Sequence, residues 1–314
     1  MATLVVLLGA GCSNGAPGPA PAGCVTDTSP GPHTFTCEGL STTLFVPKSC
    51  EQPGCGLILE LHGDTGTGPV FDAHTGLMAL GDENGYLVIA PTGPPLDGGN
   101  GSTWTLAEDD KLMAIIDTVA GVFATDRKRA HVTGFSRGGY VTWRLMCEHA
   151  ERFASVAPGA GGSAPGGDCD GVSEVSCPFD ATLPGGMPSR AVPVLELMGR
   201  FDVAVPLACT TRIRDQAIAA WGLASGLGGP QSLDGDANYA HSRWAAPSGG
   251  GLVETFEHGY ETLASGPEAS FAGHCIPGST YDPFAAVYAF ACAPPNAFRW
   301  GEQVMRFFKQ HAGP

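Results

Sequence analysis

Short apolar runs bounded by turn residues alternate along this chain with stretches in which apolar residues recur every three or four positions. Thr43-Leu-Phe-Val46, Gly56-Leu-Ile-Leu-Glu-Leu61 and Tyr86-Leu-Val-Ile-Ala90 are too short for helices and are closed by Pro or Gly, which predicts strands. Over 108–123 the residues Leu112, Ile115, Ile116, Val119, Val122 and Phe123 share one face of a predicted helix. Acidic Glu108, Asp109 and Asp110 stand at its N-terminus, where the helix dipole favours negative charge. Ala130-His-Val-Thr133 reads as a strand, 138–149 as a helix, and 153–157, 192–198 and 252–257 as further strands, with a last helix over 301–310.

Alternation of this kind predicts an α/β architecture. Parallel strands need crossover connections that pack back over the sheet, so a mostly parallel central sheet with helices on both faces is expected, within one domain spanning 41–314. The irregular stretches 91–105, 159–189 and 222–250 are predicted loops at the sheet edges, where binding surfaces are usually carried. Asp234-x-Asp236-x-Asn238 begins like a calcium loop, but Tyr239 replaces the Gly that such a loop requires and no Glu closes it, so it reads as a solvated acidic loop.

Composition narrows the function. The 314 residues are 43% hydrophobic, enough for one sizeable core, and 16 Lys and Arg against 31 Asp and Glu give a net charge of -15. That charge disfavours nucleic acid and anionic lipid surfaces as partners and suits an uncharged or cationic substrate. Residues 1–12 form an apolar leader too short for a mature membrane span. Its end, Leu8-Gly-Ala-Gly-Cys12, resembles a bacterial lipoprotein cleavage site, which implies export and a membrane tether through lipidated Cys12; a leader without lipid is the alternative. Residues 13–40 are expected to be a tether and a disulfide-bearing segment. With Cys12 set aside, the other cysteines are even in number, as a set of bridges in an oxidising compartment requires. Cys24/Cys37, Cys50/Cys55, Cys169/Cys177 and Cys275/Cys292 are the close pairs, which leaves Cys147 for Cys209; sequence alone does not fix this connectivity. No spacing gives a paired Cys-x-x-Cys zinc pattern.

The sharpest chemical signal is Gly134-Phe-Ser136-Arg-Gly138-Gly139, between a predicted strand and a predicted helix. A serine on so tight a turn needs small residues two before and two after it, and its Oγ is left projecting above the sheet as a candidate nucleophile. A hydroxyl needs a His base oriented by a carboxylate, in the chain order Ser, Asp, His. Asp202, in the loop Gly199-Arg-Phe-Asp202 after a predicted strand, is the candidate acid. His274, in Gly273-His-Cys-Ile-Pro277-Gly278, is favoured as base over His258, which ends the preceding strand. Oxyanion donors are expected from the backbone N–H groups of Arg137, at the helix N-terminus, and Asp64, in Leu61-His62-Gly63-Asp64. His62 itself is expected to brace that loop. Trp104 is a candidate aromatic wall for substrate.

Together these residues resemble the secreted polyhydroxybutyrate depolymerase-like and feruloyl or acetylxylan esterases of the α/β-hydrolase superfamily, over about 45–308. The carriers are Leu61-His-Gly63, Val132-Thr-Gly-Phe-Ser-Arg-Gly-Gly139, Arg144-Leu-Met-Cys147-Glu, Arg152-Phe-Ala-Ser-Val-Ala157, Asp202-x-x-Val205-Pro206 and Gly273-His274-x-x-Pro277-Gly278. Where relatives often have a His-Gly or Gly-rich lead into the Asp loop and a Trp before the Pro-Gly of the His loop, this chain has Met198-Gly199-Arg200 and Ile276. The resemblance implies ester hydrolysis through an acyl-enzyme, without metal or organic cofactor, on an uncharged and sometimes polymeric ester, by an exported bacterial protein. A sugar-directed acyltransferase on the same fold and a non-catalytic, lipid-tethered binding protein are the competing readings.

Overall fold

Strands that are apolar throughout belong where both faces of a sheet are covered. The computed structural model of the chain describes residues 23–99, 101–162, 176–223, 231–246, 251–264, 271–279 and 290–312. In it β3 (Gly56–Leu61) and β5 (Ala130–Phe135), predicted from just such runs, are buried at every position and lie side by side at the centre. The other strands are β1 (Gly31–Cys37), β2 (Leu40–Val46), β4 (Tyr86–Thr92), β6 (Ser155–Gly159), β7 (Val194–Gly199), β8 (Gln231–Gly235), β9 (Tyr239–Ala245) and β10 (Leu252–His258). They form one ten-stranded sheet in the order β1-β2-β4-β3-β5-β6-β7-β10-β9-β8. From β4 to β10 all neighbours are parallel, and antiparallel strands flank them at both edges.

Successive residues of a strand face opposite sides, and the core divides accordingly. Leu57, Leu59 and Leu61 enter one cluster with Leu112, Ile115 and Val119 of α3 (Asp109–Phe123), Val141 and Leu145 of α4 (Arg137–Glu148) and Ile213 of α5 (Leu207–Ala220). Ile58 enters the other, with Phe71 of α1 (Gly68–Thr75), Leu77 of α2 (Leu77–Asn84) and Val304 and Phe307 of α6 (Trp300–Gln310). The predicted α/β fold with helices on both faces is therefore the observed one.

Several elements depart from expectation. Gly31–Cys37, within the segment 13–40 expected to be a tether and a disulfide-bearing stretch, is the edge strand β1, zipped to β2 from Gly31↔Val46 to Cys37↔Leu40. Its outward residues Pro32, Thr34 and Thr36 are exposed, so the run lacks the apolar density that marks the inner strands. The stretch 222–250, a predicted loop, contributes β8 and β9, and Asp236 between them closes their turn: its Oδ1 accepts from the N–H groups of Asn238 and Tyr239. Helices α1 and α2 are eight residues each and share Gly76 as a left-handed cap, which breaks their periodicity. Helix α5 buries small or polar Cys209, Thr210 and Ala217 beside Ile213.

Disulfides Cys24–Cys37, Cys50–Cys55 and Cys275–Cys292 are those expected. The expected Cys169/Cys177 and Cys147/Cys209 bridges are not formed. Cys147, at the end of α4, joins Cys177 with a Cα separation of 5.5 Å, while Cys209 is disulfide-bonded elsewhere. A sequence-neighbour rule fails here because the fold carries Cys177 back against α4. The leader, Cys12 and Cys169 lie outside the described residues. Among those described, no helix is long and apolar enough to cross a membrane.

Candidate active site

Each predicted site residue sits beyond the C-terminal end of a parallel strand. Ser136 follows β5 directly, with φ 54° and ψ -120°, a left-handed conformation that is unfavourable for a serine. Glycines make the turn possible. A Cβ on Gly134 would lie 2.4 Å from Gly138 O, one on Gly138 2.1 Å from Leu61 O, and one on Gly161 2.2 Å from Ser136 O. Ser136 N–H donates to Gly159 O at 2.9 Å and Ser136 O accepts from Tyr140 N–H at 3.1 Å, so the turn is pinned to β6 on one side and to α4 on the other.

Asp202 lies in the turn after β7. Its Oδ1 accepts from the N–H groups of Ala204 (2.9 Å) and Val205 (2.7 Å), and its Oδ2 accepts from His274 Nδ1–H at 2.7 Å. His274 is fully buried amid Phe135, Phe271 and Phe290, with ring centroids 4.8, 6.0 and 5.5 Å away. Its Nε2 has no hydrogen-bond partner. With Nδ1 donating to Asp202, Nε2 is the nitrogen left to accept a proton. His258 is not joined to Asp202. It is buried at the end of β10, and burial pushes its imidazole down to about 4 despite the nearby Asp202 charge, so it stays neutral. The one grouping of potential metal ligands among the described residues is His258 with Cys275 and Cys292, and its two sulfurs are tied in a disulfide.

After β3 the chain passes beside the nucleophile: a Cβ on Gly63 would lie 3.1 Å from Ser136 Cβ. His62 braces this loop. Gly93 N–H donates to its Nε2 (3.0 Å), so Nδ1 is the protonated nitrogen and donates to Gly63 O (2.7 Å). Burial pushes the ring down to about 4, which keeps that neutral tautomer. Asp64 follows; its carboxylate accepts from Thr103 Oγ1 and from Arg137 Nε at 3.4 Å.

Trp104 does not line the site. It is 0% exposed, its Nε1–H donates to His62 O at 2.8 Å, and its ring packs on His62 at 4.7 Å, so it supports the loop from behind. The cavity over Ser136, about 310 Å³, is walled by Asp64, Thr65, Arg137, Tyr140, Ala204, Val205, Phe271 and Phe290. Tyr140, Phe271 and Phe290 were missed from sequence. Only Tyr140 left a signal, standing one helical turn after Ser136.

A mostly parallel sheet with helices on both faces and a positive-φ serine on a strand-to-helix turn is the architecture of the α/β-hydrolase fold. No family model matches the chain. The resemblance seen in the sequence is borne out by named relatives. Over 126 residues the chain is 32% identical to the bifunctional acetylxylan esterase/xylanase XynS20E of Neocallimastix patriciarum, covering 39% of this chain and 18% of that protein. Over 118 residues it is 29% identical to poly(3-hydroxyalkanoate) depolymerase C of Paucimonas lemoignei, covering 34% and 28%. The chain thus spans less than a third of the length of either relative. Among solved structures, the acetyl xylan esterase from Aspergillus awamori matches with a TM-score of 0.55 at 17% identity, over 72% of this chain and 93% of that one, and so shares the fold.

Proposed function

We propose that this chain is an exported serine carboxylic-ester hydrolase. The observation that carries the reading is the 2.7 Å Asp202–His274 hydrogen bond, which leaves His274 Nε2 unpartnered on the same strand-end face as the strained Ser136. Ser136 Oγ attacks the ester carbonyl and passes its proton to His274 Nε2, while Asp202 holds the ring and stabilises the imidazolium. The amides of Arg137, at the start of α4, and of Asp64, one residue beyond Gly63, are the proposed donors to the oxyanion. Collapse breaks the bond to the alcohol, which leaves with the proton from His274. Water, deprotonated by His274, then cleaves the acyl-serine and releases the acid.

The named relatives support acetyl esters of plant polysaccharide or polyhydroxyalkanoate-type polyesters as substrates, and the sequence resemblance adds feruloyl esters. The disulfides support an oxidising, extracytoplasmic compartment. Release of p-nitrophenol from short-chain esters, of ferulate from methyl ferulate and of soluble products from amorphous polyhydroxybutyrate tests this. Hydrolysis of at least one, abolished in Ser136→Ala, is expected; a well-folded parent inert on all three contradicts it.

A further inference from the structure

We propose that Tyr140 is a specificity residue of this site, its hydroxyl donating a hydrogen bond to an oxygen that the substrate carries outside the reacting ester. The proposal rests on the esterase reading above. Tyr140 stands in the first turn of α4, four residues after the Ser136 that caps it, and the two residues line the same cavity. Its ring packs with Val205, from the Asp202 loop, and with Cys209 of α5, which fixes it between the nucleophile's helix and the acid's loop. The side chain walls the cavity over Ser136 yet is 3% exposed, and its hydroxyl has no hydrogen-bond partner.

A buried hydroxyl without a partner destabilises a folded chain, and such groups are rare unless something outside the chain satisfies them. At a cavity wall next to a nucleophile, that something is a substrate. Burial, with the Asp202 and Asp64 charges and against the pull of Arg137, drives the phenol above its ordinary range. It therefore stays protonated and is a donor. The neighbouring wall residues Ala204, Val205, Phe271 and Phe290 are apolar, so they take a carbon skeleton and offer an oxygen nothing. A short substrate arm with a single oxygen, as a hydroxyl, ether or second ester, fits both parts of the wall. That oxygen belongs either to a hydroxyacyl chain or to a polyol alcohol.

Three esters separate these sources: ethyl butanoate, ethyl 3-hydroxybutanoate and 2-hydroxyethyl butanoate, each assayed with the parent, Ser136→Ala and Tyr140→Phe. The Phe variant keeps the ring and removes only the oxygen, so its Tm is expected to hold or rise. Its kcat/KM is expected to fall about tenfold on one or both oxygenated esters and to stay within about twofold on ethyl butanoate. The ester that loses identifies the arm bearing the oxygen. Equal losses on all three, or no loss on any, overturn the assignment of Tyr140. A parent without Ser136-dependent turnover of any of the three overturns this proposal, and the esterase reading falls as well only if that parent is also inert on p-nitrophenyl esters, methyl ferulate and polyhydroxybutyrate.

Discussion

Asp202 Oδ2 and His274 Nδ1 lie 2.7 Å apart with both side chains sealed from solvent, and the second carboxylate oxygen is held by two backbone amides. The carboxylate is thereby fixed before any substrate arrives. Asp202→Asn replaces the acceptor facing Nδ1–H with a group that also donates, which favours the wrong imidazole tautomer. A loss in kcat of roughly 10³- to 10⁴-fold is expected with the circular dichroism spectrum unchanged. A variant within tenfold of the parent would remove Asp202 from the mechanism.

The Arg137–Asp64 ion pair links the two residues whose amides are the proposed oxyanion donors. It is partly exposed and so contributes less than about 1 kcal/mol to stability. Its proposed role is to hold the loop after β3 against the start of α4. Arg137→Met is expected to lower kcat several-fold with KM and Tm little changed. A fall in Tm that accounts for the whole loss would make the pair merely structural.

Gly138→Ala places a methyl group 2.1 Å from Leu61 O, where neither backbone can yield cheaply. Overpacking of this kind costs about 1–3 kcal/mol, so thermal unfolding is expected several degrees lower, with activity falling as the turn is displaced. An unchanged Tm would show that the turn around Ser136 is looser than this geometry.

Trp104→Phe keeps most of the apolar volume behind His62 but loses the hydrogen bond to His62 O. Stability is expected to fall by about 1 kcal/mol. The ranking of substrates by kcat/KM is expected to stay as it was, because the ring does not reach the cavity. A reordered ranking would restore Trp104 as a substrate wall.

Acid stability is expected to turn on Glu254 of β10. Its Oε1 accepts from Arg243 Nε at 2.8 Å, and its Oε2 from His241 Nε2 at 3.2 Å and Arg306 Nη2 at 3.3 Å. Burial opposes ionisation, but those hydrogen bonds and charges outweigh it and hold the carboxyl down at about 2, below its ordinary 4.5. A lowered folded-state pKa contributes stability above the ordinary value and loses it as pH falls towards the folded one. Denaturation monitored from pH 5 to pH 2 should therefore show a steep loss in the parent. Glu254→Gln should be roughly 3 kcal/mol less stable at neutral pH and flatter across that window. Parallel profiles would place the acid sensitivity elsewhere.

What the sequence shows and what it hides follow the range of the interactions. The turn at Ser136 is legible because its requirement for Gly134 and Gly138 is local, and β3 and β5 because full burial leaves an unbroken apolar run. The support from Gly159 and Gly161 is not, since their contacts with Ser136 cross from the next strand. His274 and His258 both follow Asp202 in sequence, and only the fold of the loop after β10 brings one of them onto its carboxylate. Trp104 looks like a binding residue by type, but the His62 carbonyl claims its N–H. Cys147 and Cys177 are 30 residues apart, a span over which proximity in sequence says little. Edge strand β1 escapes notice because one face of it meets water.

The most direct test of Ser136 as nucleophile is intact-protein mass spectrometry after brief exposure to a fluorophosphonate, followed by peptide mapping. A single phosphonyl adduct on the peptide containing Ser136, absent from Ser136→Ala and strongly slowed in His274→Ala, is the expected result. An adduct on another residue, or one that persists in Ser136→Ala, would contradict it.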